Sequence, residues 1–184
     1  MGHNGNSDAP GELEIVRRLV NSYDAETGEE TLSSPTALRD WLAEHDLSSP
    51  RAKLQQADLD RVVELREALR QVLLANNGAQ LPANTYERLN EAVAGATLAV
   101  RFDDECSVGL VPSGGGVDGA IARIAAIVRE AIIAGNWERM KVCPADDCQW
   151  AFYDRSRNRS RTWCDMSDCG NRAKVRAFRE RHSG

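Results

Sequence analysis

An α+β fold, mostly helical with one small β-hairpin, is what this 184-residue sequence predicts, and three features predict it. Apolar residues recur three and four apart along five segments before residue 136, the spacing of helices buried on one face. Between the fourth and fifth segments the period drops to two, the mark of short strands. Near the C-terminal end four cysteines fall into two pairs of equal internal spacing.

Taken in order, Met1 to Gly11 is polar and Gly-rich without an apolar run, so it reads as a disordered tail and not as a signal peptide. Leu13, Val16, Leu19 and Val20 mark a first helix, followed by a polar loop over Asn21 to Glu30. Ser34-Pro35 opens the second helix: a capping hydroxyl precedes a proline at the first helical position, where its missing N–H costs nothing. Leu38, Trp41 and Leu42 are its buried face. A third helix opens near Asp58, carries Leu59, Val62, Val63, Leu69, Val72 and Leu73, and stops at Asn76-Asn77-Gly78. A fourth starts near Asn84 with Tyr86, Leu89 and Val93. Thr97 to Phe102 and Ser107 to Val111 form the hairpin around an Asp103-Asp104-Glu105 turn. After a loop over Pro112 to Gly116, Ile121, Ile124, Val128 and Ile132 mark a long amphipathic helix ending at Gly135-Asn136. The resulting division is a tail over 1–11, a helical α+β domain over 12–136 that is expected to fold by itself, and a small module over 137–184.

Composition narrows the function classes. At 42% hydrophobic the longer part can bury a core, and at 5% aromatic that core is mostly Leu, Val, Ile and Ala. No run approaches the roughly 18 apolar residues of a membrane span. With no targeting signal the expected compartment is the cytoplasm, where thiols stay reduced. Charge is uneven: Trp137 to Gly184 carries eleven Lys/Arg against seven Asp/Glu, and the remainder twelve against twenty-one. An acidic body with a basic module suggests an anionic partner for the module alone.

The cysteine pairs are Cys143-Pro-Ala-Asp-Asp-Cys148 and Cys164-Asp-Met-Ser-Asp-Cys169, fifteen residues apart. Short loops let two thiolates converge from one turn, and a hairpin-length spacer returns the second pair, which suits tetrahedral zinc. The same spacing admits two disulfides or four unlinked thiols. Trp150, Phe152 and Tyr153 are expected to lead into one strand of the spacer hairpin and Thr162-Trp163 to end the other. Four thiolates would close the coordination sphere, so one Zn²⁺ here is structural. Cys106 stands alone and reads as a free thiol; His3, His45 and His182 are scattered and supply no further ligand set.

Cys169-Gly170-Asn171-Arg172, with the cysteine spacing and the run Trp150 to Cys164, resembles the CGNR zinc finger over about Lys141 to Arg181. In proteins of that kind the finger follows an ABATE domain, whose early helix, polar loop and Pro-started second helix resemble Leu13 to Leu47. The resemblance implies a small treble-clef-like or ribbon-like zinc finger and a role in stress-related transcriptional regulation.

Arg155, Arg157, Arg159 and Arg161 alternate with small polar residues, so an extended chain would place them in one row. Along the terminal helix Arg172, Arg176 and Arg179 form a stripe, with Val175 and Phe178 expected to pack on the zinc hairpin. Gly170 sits where a Cβ would crowd the turn, and Asn171 is a cap or first-turn residue of the helix. Arginine forks match phosphate oxygens, which points to nucleic acid, DNA ahead of RNA, with Asn171, Arg172 or Lys174 placed for base contacts. An acidic protein surface or plain solvent fits the same pattern. Trp150, Tyr153 and Trp163 are stacking platforms or module core.

The expected function is therefore a nucleic-acid-binding regulator whose body senses a small-molecule effector or mediates assembly as a homodimer, with no membrane partner. The alternative is an adaptor whose finger docks on an acidic protein. No nucleophile–base pair, carboxylate dyad or P-loop is present, and Ser113-Gly114-Gly115-Gly116 lacks the P-loop lysine, so no catalytic activity is expected.

Overall fold

The computed structural model describes residues 7–105 and 107–182, so His3 and Cys106 lie outside the described residues. Its centre is α3 (Gln56–Ala75), against which α1 (Leu13–Val20), α2 (Pro35–Glu44), α4 (Thr85–Ala92) and α5 (Gly116–Ile133) pack. The helix signals act as expected. Ser34 accepts the Ala37 N–H at 3.1 Å, ahead of Pro35 at the first position. The Asp58 carboxylate accepts the Gln55 N–H at 2.7 Å, closing the exposed start of α3. Most of the predicted apolar faces meet in one core, with Val16, Leu19, Leu38, Leu42, Val62 and Leu73 among its solvent-free members, but Tyr86 and Ile132, expected on those faces, are exposed.

The hairpin pairs β1 (Leu98–Phe102) with β2 (Val108–Pro112), Val100 opposite Leu110. The Asp103 carboxylate accepts the Glu105 and Ser107 N–H groups, which closes the acidic turn internally. The glycine loop then meets α5 closely: a Cβ on Gly119 would lie 2.5 Å from the Gly114 carbonyl oxygen. No helix among the described residues is long and apolar enough to cross a membrane.

Two features differ from the sequence reading. Ser7 to Gly11, assigned there to a disordered tail, is part of the fold: Ser7 and Ala9 are buried, and Ala9 donates to Glu14. The main core also runs across the boundary at Asn136, although Cys143, Cys148, Phe152, Cys164 and Cys169 beyond it form a second cluster of their own. β3 (Met140–Val142) lies on α3 and β4 (Ala151–Tyr153) on α1, so Met140, Val142, Ala151 and Tyr153 bury in the same cluster as the helices. Apolar strand residues this short cannot cover themselves, and the helical body supplies the other half of their burial.

Polar ties reinforce the junction. Asn21 donates to the Ala151 carbonyl and accepts its N–H, replacing the missing neighbour of an edge strand. Asn76 donates to the Trp137 and Met140 carbonyls, and Asn77 to those of Val142 and Thr162. The Asn-Asn that ends α3 is thus a clamp as well as a stop. Arg66 and Arg70, one turn apart on α3, are 3% and 2% exposed and flank the Tyr23 ring. Arg66 pairs with Glu30 at 2.8 Å, fixing the polar loop onto the helix.

Candidate metal centre and nucleic-acid interface

β3 and β4 pair antiparallel, Lys141 opposite Phe152, with Cys143 and Cys148 in the turn that joins them. The hairpin therefore spans the first cysteine pair. The sequence reading put it between the two pairs, but Thr162-Trp163 forms no strand. The physical reason is local: the Cys143 N–H donates to the Trp150 carbonyl, so the tight ligand loop itself reverses the chain. Gln149 completes that reversal at φ 50, a left-handed conformation unusual for a side-chain-bearing residue.

The second pair comes from the other end of the module. Asp165 caps a wide turn over Met166–Gly170 by accepting the Ser167 N–H at 2.7 Å, and Cys169 leaves that turn just before α6 (Asn171–His182). A hairpin carrying one pair and a helix start carrying the other is the treble-clef-like alternative. The four Sγ atoms lie within 4.8 Å of one another, all buried. Cys148 and Cys164 stand 3.4 Å apart and Cys164 and Cys169 3.7 Å, close to the edge of about 3.8 Å that a tetrahedron with 2.3 Å zinc–sulfur bonds requires. These are separate thiols and not disulfides. They are positioned to bind one zinc ion.

Electrostatics points the same way. Hydrogen bonds from Cys148 and then Cys164 pull the Cys143 thiol strongly down toward thiolate. The same contact with Cys143 pushes Cys148 and Cys164 up. Four sulfurs this close cannot all ionise without a cation between them, and a dication removes the conflict.

The arginines divide into two groups. Arg172 belongs to the metal centre: Nη2 donates to Cys169 Sγ at 3.1 Å, Nη1 reaches Asp147 at 3.1 Å and Nε reaches Asp168 at 3.3 Å. The Cys169 contact, ahead of the neighbouring carboxylates, raises its pKa. Asp147 sits in the first ligand loop and Asp168 in the second, so Arg172 staples the two halves of the site.

The predicted row Arg155 to Arg161 is a turn and not a strand. Lys141 Nζ, buried, donates to Asp154 at 2.7 Å and to the Arg159 and Arg161 carbonyls, bending the segment round one ammonium. Burial works against the Asp154 carboxylate, but Lys141 and Ser156 hold its pKa below the usual range. Arg161 turns inward, 4.9 Å over the Phe152 ring, donating to the Trp163 and Cys164 carbonyls. Arg155 donates to the Asp8 carbonyl and covers Tyr153. Arg159, at φ 53, pairs with Glu138. Arg157 is exposed with no hydrogen-bond or ion-pair partner among the described residues.

On α6, Asn171, Arg172, Arg176 and Arg179 line one shallow groove beside the Met166–Gly170 turn, so the predicted stripe does share a face. Asn171 donates to the Ser167 carbonyl at 2.9 Å. Lys174 is exposed. Val175 and Phe178 are 48% and 55% exposed and pack on no zinc hairpin: α6 rests chiefly on the turn before it, and Phe178 stacks on His182. A Cβ on Gly170 would meet Met166 Sδ at 2.5 Å, so the crowding comes from one side chain. Trp150 and Trp163 pack on the cysteine cluster, which makes them module core, while Tyr153 is buried in the core shared with the helices.

Compared with known proteins, residues 139–182 match the family model of the CGNR zinc finger. Residues 14–134 match the ABATE model, described as "Putative stress-induced transcription regulator". No curated protein matches the chain.

Proposed function

This chain belongs to the ABATE family and ends in a CGNR zinc finger, and on that premise we propose that it is a transcription regulator whose finger binds nucleic acid, DNA ahead of RNA. The observation that carries the reading is the groove along α6, where Arg176 and Arg179 stand exposed. Exposed guanidiniums on one helix face suit the phosphates flanking a groove, and forked donors match phosphate oxygens. Asn171 and Lys174, near the helix start, are the candidates for base contacts. Arg172 and Arg161 act inside the module, so their part in binding is indirect.

In this reading the zinc is structural, since four thiolates leave no open coordination position. The chain is a cytoplasmic regulator and not an enzyme, and its body receives the signal or mediates self-assembly. Exposed Val175 and Phe178 beside the arginines support a second reading, docking on an acidic protein with an apolar patch.

The test is anisotropy of the zinc-loaded full chain against duplex DNA, single-stranded DNA, RNA and polyglutamate. Duplex DNA is expected to bind tightest. Equal, weak binding to all four overturns the function, and preference for polyglutamate favours the adaptor.

A further inference from the structure

A cavity of about 560 Å³ opens between α3, α4 and α5, within the size range of small-molecule sites. Its floor is apolar, with Leu65, Leu69 and Ile124 almost wholly buried. Two aromatic residues line it, Tyr86 from α4 and Trp137 from the turn that leads into β3. Among the described residues one charged side chain lines it, Glu138.

Glu138 is shared with the basic turn. Its carboxylate accepts from Arg159 Nη1 at 2.9 Å, and the two side chains are 74% and 46% exposed. An ion pair this open to water is weak and exchangeable. A cation that also buries apolar surface can therefore take Glu138 from Arg159. Aromatic faces attract cations as well, which adds to the selectivity of a site whose lining, among the described residues, holds one carboxylate and no basic side chain.

We propose that this cavity is an effector site for a lipophilic aromatic cation, and that its occupation releases Arg159 from Glu138 into the basic turn. The consequence for regulation rests on the nucleic-acid reading above, but the site itself does not. The ligand adds one positive charge to the basic turn's surroundings and frees a guanidinium.

The probe is tetraphenylphosphonium, with tetraphenylborate as its counterpart of similar shape and opposite charge. Each is titrated calorimetrically into the zinc-loaded full chain. Cavity binding is counted as the component lost in Leu89→Trp, which fills the space. The cation is expected to bind once per chain and about tenfold tighter than the anion, the scale of one partly screened charge pair. Glu138→Gln should remove that preference while leaving the circular dichroism unchanged. The Arg159 Nε–H resonance, assigned through Arg159→Lys, should move on saturation with the cation. That readout needs no nucleic acid, so failure to bind DNA leaves the site standing, and failure of the site leaves the DNA reading standing. No cavity binding, equal binding of the two ions, or an unchanged preference in Glu138→Gln overturns the proposal. So does a dimer that the cation fails to bind, which would place a second copy on this face.

Discussion

Arg70, buried in the middle of α3, donates from Nη1 to the main-chain carbonyl of Gln149, 2.8 Å away and one residue beyond the zinc ligand Cys148. Its Nη2 donates to the Val20 carbonyl at 2.6 Å and its Nε to Glu67. One guanidinium thus joins α1, α3 and the first ligand loop, and holds the left-handed Gln149 in place. The helical body and the zinc module are therefore coupled through a buried charge as well as through a shared core.

Arg70→Met is expected to lower stability by about 2–3 kcal/mol, because it leaves buried carbonyls without a donor. Denaturation followed by helix signal and by zinc release should give one coincident transition. A truncation after Asn136 removes Met140, Val142, Ala151 and Tyr153 from the core and should lose cooperative melting. Two separate transitions, or a cooperatively melting truncation, would restore the independent domains that the sequence suggested.

Purified protein should carry about one zinc per chain, with X-ray absorption showing sulfur-only ligation near 2.3 Å. Because the module shares the body's core, a chelator or Cys164→Ser should lower the melting temperature of the whole chain and not of the tail alone. Nitrogen or oxygen in the ligand shell would contradict the four-thiolate site.

Arg172→Ala should weaken zinc binding by about 10–100-fold, the usual effect of losing a group that orients a ligand. Competition with a chromophoric chelator measures this directly. Loss of nucleic-acid binding at full zinc occupancy, with zinc affinity unchanged, would move Arg172 to the interface.

Asp154 gives a pH signature. Its folded pKa is depressed, so its stabilisation is complete above the unfolded value and is lost as pH falls through the folded one. Asp154→Asn should cost about 3–5 kcal/mol near neutrality by leaving Lys141 buried without its carboxylate. The gap between the two proteins should narrow only below about pH 4, where carboxylates begin to protonate. Acid release of zinc affects both and cancels in the difference. A gap constant down to pH 2 would mean the pair is not formed.

The helices and the first hairpin were legible because each depends on near neighbours: Ser34-Pro35, Asn76-Asn77-Gly78 and the alternation at Leu98–Phe102 act within a few residues. The zinc ligands were legible through spacing. The integration of the module was not, since Arg70 and Asn77 look like surface residues until their distant partners are known. The arginine row failed for the same reason. Alternation predicts a face only for extended chain, and the buried Lys141–Asp154 pair, thirteen residues apart, turns this segment into a loop. Val175 and Phe178 carry helical spacing, yet they stay about half exposed, because among the described residues α6 rests chiefly on the turn before it.

The most direct test of the functional account is the salt dependence of duplex DNA binding by the zinc-loaded full chain. With Arg157, Arg176 and Arg179 meeting phosphates, log K should fall against log salt with a slope of about −3. The double variant Arg176→Ala/Arg179→Ala should keep its zinc and lose about two from that slope, weakening all sequences alike. Binding indifferent to salt, or a slope unchanged in the double variant, would contradict it.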